Sequence, residues 1–320
     1  MVQLGKIKIE KPAVLAPMAG FTSSAFRQIC SEFGAAFTVS EMISAKALCF
    51  QDKKTNALIK FCDAERPFGF QLFGSECDTL SEAARILESY NPDFIDINMG
   101  CPVPKIAGNG CGSHLLKTPK LAGDLVYAVK KAVNIPVTAK IRIGWDENSL
   151  SGIDFAKRLC DNGVDLISVH GRTREQMYKP TVNIDYIGEI KRAVSVPIVA
   201  NGDVDSLDSM KEMLNRTGCD LVMIGRAALG NPFIFRELCG QKQDISFKQK
   251  MDTVIRLAEL ESKNKGEHLG ILELRRHLPF FFKGLRGAAE FRRRATSVNS
   301  IDDIILLTKE AQMHFEEENK

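Results

Sequence analysis

Residues 186–224 read YIGEIKRAVSVPIVANGDVDSLDSMKEMLNRTGCDLVMI, and this stretch decides the fold. Apolar residues recur at helical spacing over Tyr186–Ala193 and again over Ser206–Leu214. Two short β-rich runs follow them, Pro197–Asn201 and Asp220–Ile224, without the apolar/polar alternation of a half-exposed strand. Such runs suit parallel strands covered on both faces. Ser195-Val-Pro197 and Asn134-Ile-Pro136 share one pattern, in which a helix ends, proline interrupts and a strand starts. Outward from here the same alternation continues. Strands are expected at Ala13–Pro17, Ala36–Ser40, Pro67–Phe73, Asp93–Asn98, Pro136–Ile143 and Asp165–His170, with helices at Ser23–Phe33, Glu76–Glu88, Pro119–Ala132 and Ser151–Asp161. Eight βα units in about 240 residues predict an α/β fold, a closed (β/α)8 TIM barrel; a doubly wound open sheet is the alternative.

Beyond residue 240 the strand signal stops. Helical periodicity over 247–265, 269–283 and 300–318 predicts a small all-α domain, so the chain divides into a barrel over 1–243 and a helical domain over 244–320. The 320 residues can hold both. No run approaches the ~18 apolar residues of a membrane span, and the charged and apolar mixture of 1–12 lacks the core of a signal peptide. The nine cysteines are dispersed, odd in number and without a Cys-x-x-Cys pair, which argues against zinc or a disulfide framework and for a reducing cytoplasm.

Polar groups inside doubly covered strands point to a site. Gln71 lies near the end of the third strand, Asp96 and Asn98 on one face of the fourth, and Lys140 with Arg142 on one face of the fifth. His170 and Asn201 end the sixth and seventh. Barrel active sites lie at this C-terminal rim. After the seventh strand come Gly202 and Asp203, and after the eighth Gly225 and Arg226. Glycines there let backbone amides approach a phosphate, and an arginine adds a charged donor. Cys101 follows the fourth strand between Gly100 and Pro102, where a thiol can act as nucleophile, acid or base; Cys111 is its rival. Gly108-Asn-Gly-Cys-Gly112 lacks the spacing of a dinucleotide fingerprint and is expected to be a loop over the pocket.

Charge is hidden in the net +3. Residues 271–294 carry seven basic side chains against Glu273 and Glu290, while 302–318 carry six acidic ones, Glu318 included, against Lys309. Phe280-Phe-Phe282 reads as hinge core between barrel and helices rather than as exposed stacking aromatics.

Ala16-Pro-Met-Ala-Gly20, Asp96-Ile-Asn-Met-Gly-Cys-Pro102, Lys140-Ile-Arg142, Val169-His-Gly-Arg-Thr173, Ala200-Asn-Gly-Asp203 and Met223-Ile-Gly-Arg-Ala227 together resemble the tRNA-dihydrouridine synthases, most nearly the bacterial B-type subgroup. The resemblance spans nearly the whole chain. It implies an FMN-dependent, NADPH-driven reduction of the uridine C5=C6 bond to 5,6-dihydrouridine in the D-loop of tRNA. It implies that Pro17, Met18 and Ala19 lie against the flavin and that Gln71 and Lys140 meet its ring. His170, Asn201, Gly202, Asp203, Gly225 and Arg226 would complete the flavin and phosphate set. Cys101 would be the catalytic acid, and Asn98 and Arg142 would face the uracil. A neutral thiol suits the proton donation, and a cation at Lys140 suits an anionic reduced flavin. In the helical domain, Lys283, Arg286, Arg292, Arg293 and Arg294 would grip tRNA phosphates. Nothing in the sequence points to a membrane or to an obligate protein partner. A flavin barrel acting on a free pyrimidine, or a non-enzymatic RNA-binding barrel, are the competing readings. The basic segment speaks against the first, and the Cys101, Lys140 and His170 set against the second.

Overall fold

A computed structural model describes the whole chain except residues 242, 243 and 318–320. Thus Glu318 and the last residue assigned above to the barrel, 243, lie outside the described residues. The chain begins with an antiparallel hairpin, β1 (Val2–Leu4) and β2 (Ile7–Ile9), turned at Gly5 in the left-handed region (φ +57°). Eight parallel strands follow: β3 (Ala13–Leu15), β4 (Thr38–Ser44), β5 (Phe68–Phe73), β6 (Phe94–Met99), β7 (Val137–Arg142), β8 (Leu166–His170), β9 (Ile198–Asn201) and β10 (Leu221–Ile224). From β4 to β10 each strand pairs with the next in sequence, and β10 pairs with β3. Two backbone bonds complete the ring at the β3–β4 seam, Ala36 N to Ala13 O at 2.7 Å and Leu15 N to Phe37 O at 3.3 Å. The closed barrel is therefore the fold, and the open sheet is excluded.

Helices wrap the outside where the periodicity placed them. Leu207–Thr217 starts at Ser206, whose hydroxyl accepts from Ser209 N at 3.2 Å, and stops at left-handed Gly218. Strand alternation sends half the side chains inward. Toward the N-terminal end these are apolar, and Val14, Phe37, Val39, Phe94, Leu166, Val199, Leu221 and Met223 form one buried cluster with Val2, Leu4 and Ile9 of the hairpin. The hairpin thus plugs the bottom of the barrel. Gly69 makes room for that cluster, since a Cβ there would meet the Phe94 ring at 2.2 Å. One or two steps along the same inward rows the residues turn polar: Asp96 and Asn98 on β6, Lys140 and Arg142 on β7, His170 on β8, Asn201 on β9. The cross-strand register sets Gln71 beside Asp96, Asn98 beside Lys140, and Arg142 beside His170.

The C-terminal region is helical: Phe247–Lys265, Glu267–Leu274, Leu278–Phe281, Ala289–Ala295 and Ile301–Glu317. The expected single helix over 269–283 is broken at 275–277. Pro279 has no N–H to give Arg275, and its ring disfavours helical backbone before it, so a new short turn starts at Leu278. The basic run 292–294 sits on its own helix, which the periodicity did not show. The helical region is welded to the barrel. His277 Nε2 lies 2.9 Å from Phe21 O, Arg256 pairs with Glu32 at 2.6 Å, and Phe280 meets Phe21 edge-on at 5.9 Å. Phe281 and Phe282 are buried in the same continuous core. The Phe280–Phe282 segment is therefore packing between the two parts.

Candidate active site

The inward polar row makes one connected network at the C-terminal mouth. Asp96 is buried and accepts from Thr138 Oγ1 at 2.5 Å and Gln71 Nε2 at 2.7 Å. Gln71 in turn accepts from Asn98 Nδ2 at 2.8 Å, and Asn98 Oδ1 accepts from the amides of Gly100 (3.2 Å) and Cys101 (3.0 Å). A chain of bonds therefore runs from the strand interior to the turn that presents Cys101. Removal from water raises the Asp96 carboxyl to about 6, against its hydrogen bonds and the nearby Lys140, which lower it. Burial likewise raises the Cys101 thiol, with the Val103 amide, Arg142 and Lys140 pulling the other way, so the neutral thiol predominates at physiological pH.

Lys140 Nζ donates to Asn201 Oδ1 at 3.0 Å, and Asn201 Nδ2 donates to Met223 O at 2.9 Å. Lys140 is half-buried. Desolvation and then Arg142 lower it to about 8. His170 is driven well below its ordinary value by burial and by the surrounding cations, so its ring is neutral. Arg142, 3% exposed, donates from Nε to Gly100 O at 2.9 Å and from Nη1 to the carbonyls of Thr173 (2.7 Å) and Met177 (3.0 Å). It ties the Cys101 turn to the loop after β8. Beyond the strand ends, Asp203 in left-handed backbone bridges Arg172 and Arg226, the latter at 3.3 Å, and the Arg226 guanidinium stands 5.2 Å from the Tyr178 ring. Gly225 lies in the turn beside Ala16 and Met18, with 3.8 Å from an added Cβ to each. Met18 is held by Thr22, whose hydroxyl accepts from Met18 N at 2.9 Å.

All the barrel residues singled out in the sequence thus lie in the strand ends or the loops that follow them. Three contributors were not assigned to the mouth. Arg172 is buried, lies 3.3 Å from His170 Nε2, and anchors Asp203. Glu41 accepts from Gly20 N at 2.7 Å and fixes the loop carrying Pro17, Met18 and Ala19. Arg276 reaches the same loop, with Nη1 2.8 Å from where a Gly20 Cβ would stand. A carboxylate inside a strand was the signal for Glu41, but β4 runs to Ser44, past the end expected at Ser40 for the second barrel strand.

The basic segment of the helical region divides by its partners. Arg293 pairs with Glu290 and Arg294 with Glu310, at 2.6 and 2.5 Å. No carboxylate among the described residues pairs with Lys283, Arg286 or Arg292, and Lys283 and Arg286 are exposed.

The mouth suits an anionic, planar, hydrogen-bonding group. Lys140 has a single neutral acceptor and two further N–H groups, with amides on either side and an arginine at the glycine turns. This is a (β/α)8 barrel with a polar cluster at its strand ends, and its structural neighbours share the barrel. Histamine dehydrogenase from Rhizobium sp. 4-9 superposes with a TM-score of 0.59 at 14% identity, over 81% of this chain and 50% of that one. An old yellow enzyme homologue from Zymomonas mobilis gives 0.53 at 13%, over 76% and 93%. At such identities the likeness speaks for the barrel alone. The family model described as "Dihydrouridine synthase (Dus)" matches residues 14–318, and the chain belongs to that family. Among curated relatives, "tRNA-dihydrouridine synthase B" of Pseudomonas syringae pv. tomato is 37% identical, over 91% of this chain and 88% of that protein. A "Probable tRNA-dihydrouridine synthase" of Rickettsia prowazekii is 35% identical, over 95% and 94%.

Proposed function

We propose that this protein reduces a uridine of tRNA to 5,6-dihydrouridine, with FMN held at the barrel mouth, NADPH as the reductant, and Cys101 as the acid. Membership of the dihydrouridine synthase family supports the reaction. The observation that carries the residue assignment is the bonded row from Asp96 through Gln71 and Asn98 to the Cys101 turn, beside Lys140. When bound, reduced FMN supplies the hydride that adds to one carbon of the C5=C6 bond. The chain's own residues do the rest. The neutral Cys101 thiol gives its proton to the other carbon and is left as a thiolate, which Arg142 and Lys140 favour. Arg142 uses Nε and Nη1 on backbone carbonyls, which leaves its Nη2 group for a uracil carbonyl. Asn98 holds the Cys101 turn and borders the same space. Lys140 and Gln71 orient the flavin ring through their remaining N–H groups, with Pro17, Met18 and Ala19 along its edge. His170, Asn201, Gly202, Gly225 and Arg226 take the ribityl and phosphate end, and Asp203 aims Arg226.

In the same reading the barrel, to 243, is the catalytic part and the helices from 244 hold tRNA in the cytoplasm. The target base must leave its stack to enter the mouth. Lys283, Arg286 and Arg292, free of carboxylates among the described residues, supply most of the phosphate attraction, and Arg293 and Arg294 less. The test is a map of dihydrouridine across cellular tRNA with and without the protein, complemented by Cys101→Ala. Loss of dihydrouridine at one position, restored by the wild type and not by the variant, is expected. An unchanged map refutes the reaction, and full rescue by the variant refutes the acid assignment.

A further inference from the structure

The chain has one tryptophan, Trp145, in the loop after β7. Two cations from other loops stand over it. Lys117 Nζ lies 3.6 Å from the ring centroid and the Arg174 guanidinium 4.8 Å, while His114 meets its edge at 6.1 Å. Lys117 and His114 belong to the short helix Gly112–Lys117, which follows the Cys101 turn, and Arg174 belongs to the loop after β8. Three consecutive βα loops therefore meet at one ring.

The Gly112–Lys117 helix also touches Cys101 directly. Ser113 N donates to Cys101 O at 3.1 Å. Gly112 sits in the left-handed region, φ +59°, where a Cβ would stand 2.9 Å from Cys101 O and 3.1 Å from Cys101 Cβ. Leu115 and Leu116 are buried beneath it. One end of this strap is thus pressed on the backbone that carries the thiol, and the other end is fastened to Trp145. The tryptophan is itself clamped to the β8 loop, through Arg174 N to Gly144 O at 2.9 Å and Glu175 N to Trp145 O at 3.1 Å.

We infer that Trp145 is a positioning residue for Cys101: by holding Lys117 it fixes the strap behind the thiol and so sets where the proton is delivered. This rests on Cys101 being the acid. An aromatic face attracts a cation through its quadrupole, and tryptophan does so more strongly than phenylalanine. A displacement of the order of an ångström at a reacting group costs on the order of a hundredfold in rate. Lys117 is exposed, and Lys117→Met removes the charge while keeping nearly the length of the side chain, so that variant breaks the cation contact without opening the core.

The experiment compares Trp145→Leu, Trp145→Phe and Lys117→Met with wild type as flavin-loaded proteins. It reads kcat, the KM for tRNA, and the alkylation rate of Cys101 by iodoacetamide, followed on the Cys101 peptide by mass spectrometry. Trp145→Leu and Lys117→Met should lower kcat about tenfold or more with KM within about twofold, and should speed Cys101 alkylation several-fold. Trp145→Phe should fall between them and wild type. Unchanged alkylation and kcat in Trp145→Leu overturn the inference. A raised KM with unchanged alkylation also overturns it, because the ring would then be a substrate contact. Alkylation needs no turnover. If Cys101→Ala proves fully active, the acid assignment has failed, and a faster alkylation in Trp145→Leu would still show the strap to be real.

Discussion

Lys140→Met should make the flavin-free protein more stable at pH 7 while weakening its hold on flavin. Burial and the neighbouring Arg142 lower the Lys140 ammonium from 10.5 to about 8. At about 1.4 kcal/mol for each pH unit between the two values, the folded chain bears a penalty of up to about 3 kcal/mol at neutral pH. Methionine keeps the length of the side chain and removes the charge. It also leaves Asn201 Oδ1 without its donor, which costs about 1 kcal/mol, and water at the mouth screens part of the penalty. The net gain is about 1–2 kcal/mol, or roughly 2–4 °C in melting temperature. The pH dependence fixes the cause. Between about 8 and 10.5 the unfolded chain keeps a proton that the folded chain has released, so wild-type stability rises with pH in that window. The penalty should shrink to about 2 kcal/mol at pH 9 and vanish near 11. The assay is thermal unfolding of both proteins by far-ultraviolet circular dichroism at pH 7, 8 and 9. A variant that melts below wild type at pH 7, or a gap that stays constant to pH 9, would refute the reasoning.

Cys101→Ala should retain flavin, read from its visible absorption, and lose dihydrouridine formation, whereas Cys111→Ala should lose little. Because burial raises the Cys101 thiol above 9.0, activity should persist into mildly alkaline buffer and fall only as the thiol ionises; loss of activity on acidification alone would contradict an acid role. Neutralising Lys283, Arg286 and Arg292 should weaken tRNA binding and flatten its dependence on salt more than neutralising Arg293 and Arg294, which already face Glu290 and Glu310; equal slopes in a filter-binding titration would remove the distinction. Glu65→Gln should destabilise the protein by about 3–5 kcal/mol in urea unfolding, because it strands the buried Arg27 whose guanidinium also binds Thr22 O and Lys60 O; a loss under about 1 kcal/mol would mean that water reaches the pair.

The barrel was legible because its strands are covered on both faces and its helices on one, so two periods alternate along the chain. The elements that escaped are those whose form depends on something distant. Val2-Gln-Leu4 and Ile7-Lys-Ile9 read only as a mixture of charged and apolar residues until the open bottom of the barrel gives Val2, Leu4 and Ile9 somewhere to go. The apolar spacing over 269–283 ignores Pro279, and the backbone does not. The mouth was legible for a related reason. A lysine, an arginine and two asparagines inside doubly covered strands have no structural excuse, so they stand out. Arg172 lies just past a strand, where arginine is unremarkable, and only the fold shows it under Asp203 and beside His170. Likewise the opposed charge runs were visible as sums, while the pairing of Arg294 with Glu310 needed two helices side by side.

Gly230 bears on how the molecule can change over time. Its backbone turns at φ +71°, and an added Cβ would stand 2.3 Å from the main chain of Phe280. The last barrel loop and the helical region are thus main chain against main chain, with no side chain between them to be trimmed or enlarged. With one apolar core running through both, the helices are not a cassette that can be exchanged for another or cut away; severed near 243, the barrel would present greasy surface to water. Divergence toward a different uridine would therefore have to proceed by repainting exposed positions such as Lys283 and Arg286, on a frame whose two parts keep one fixed relation, like the jaw of a gauge.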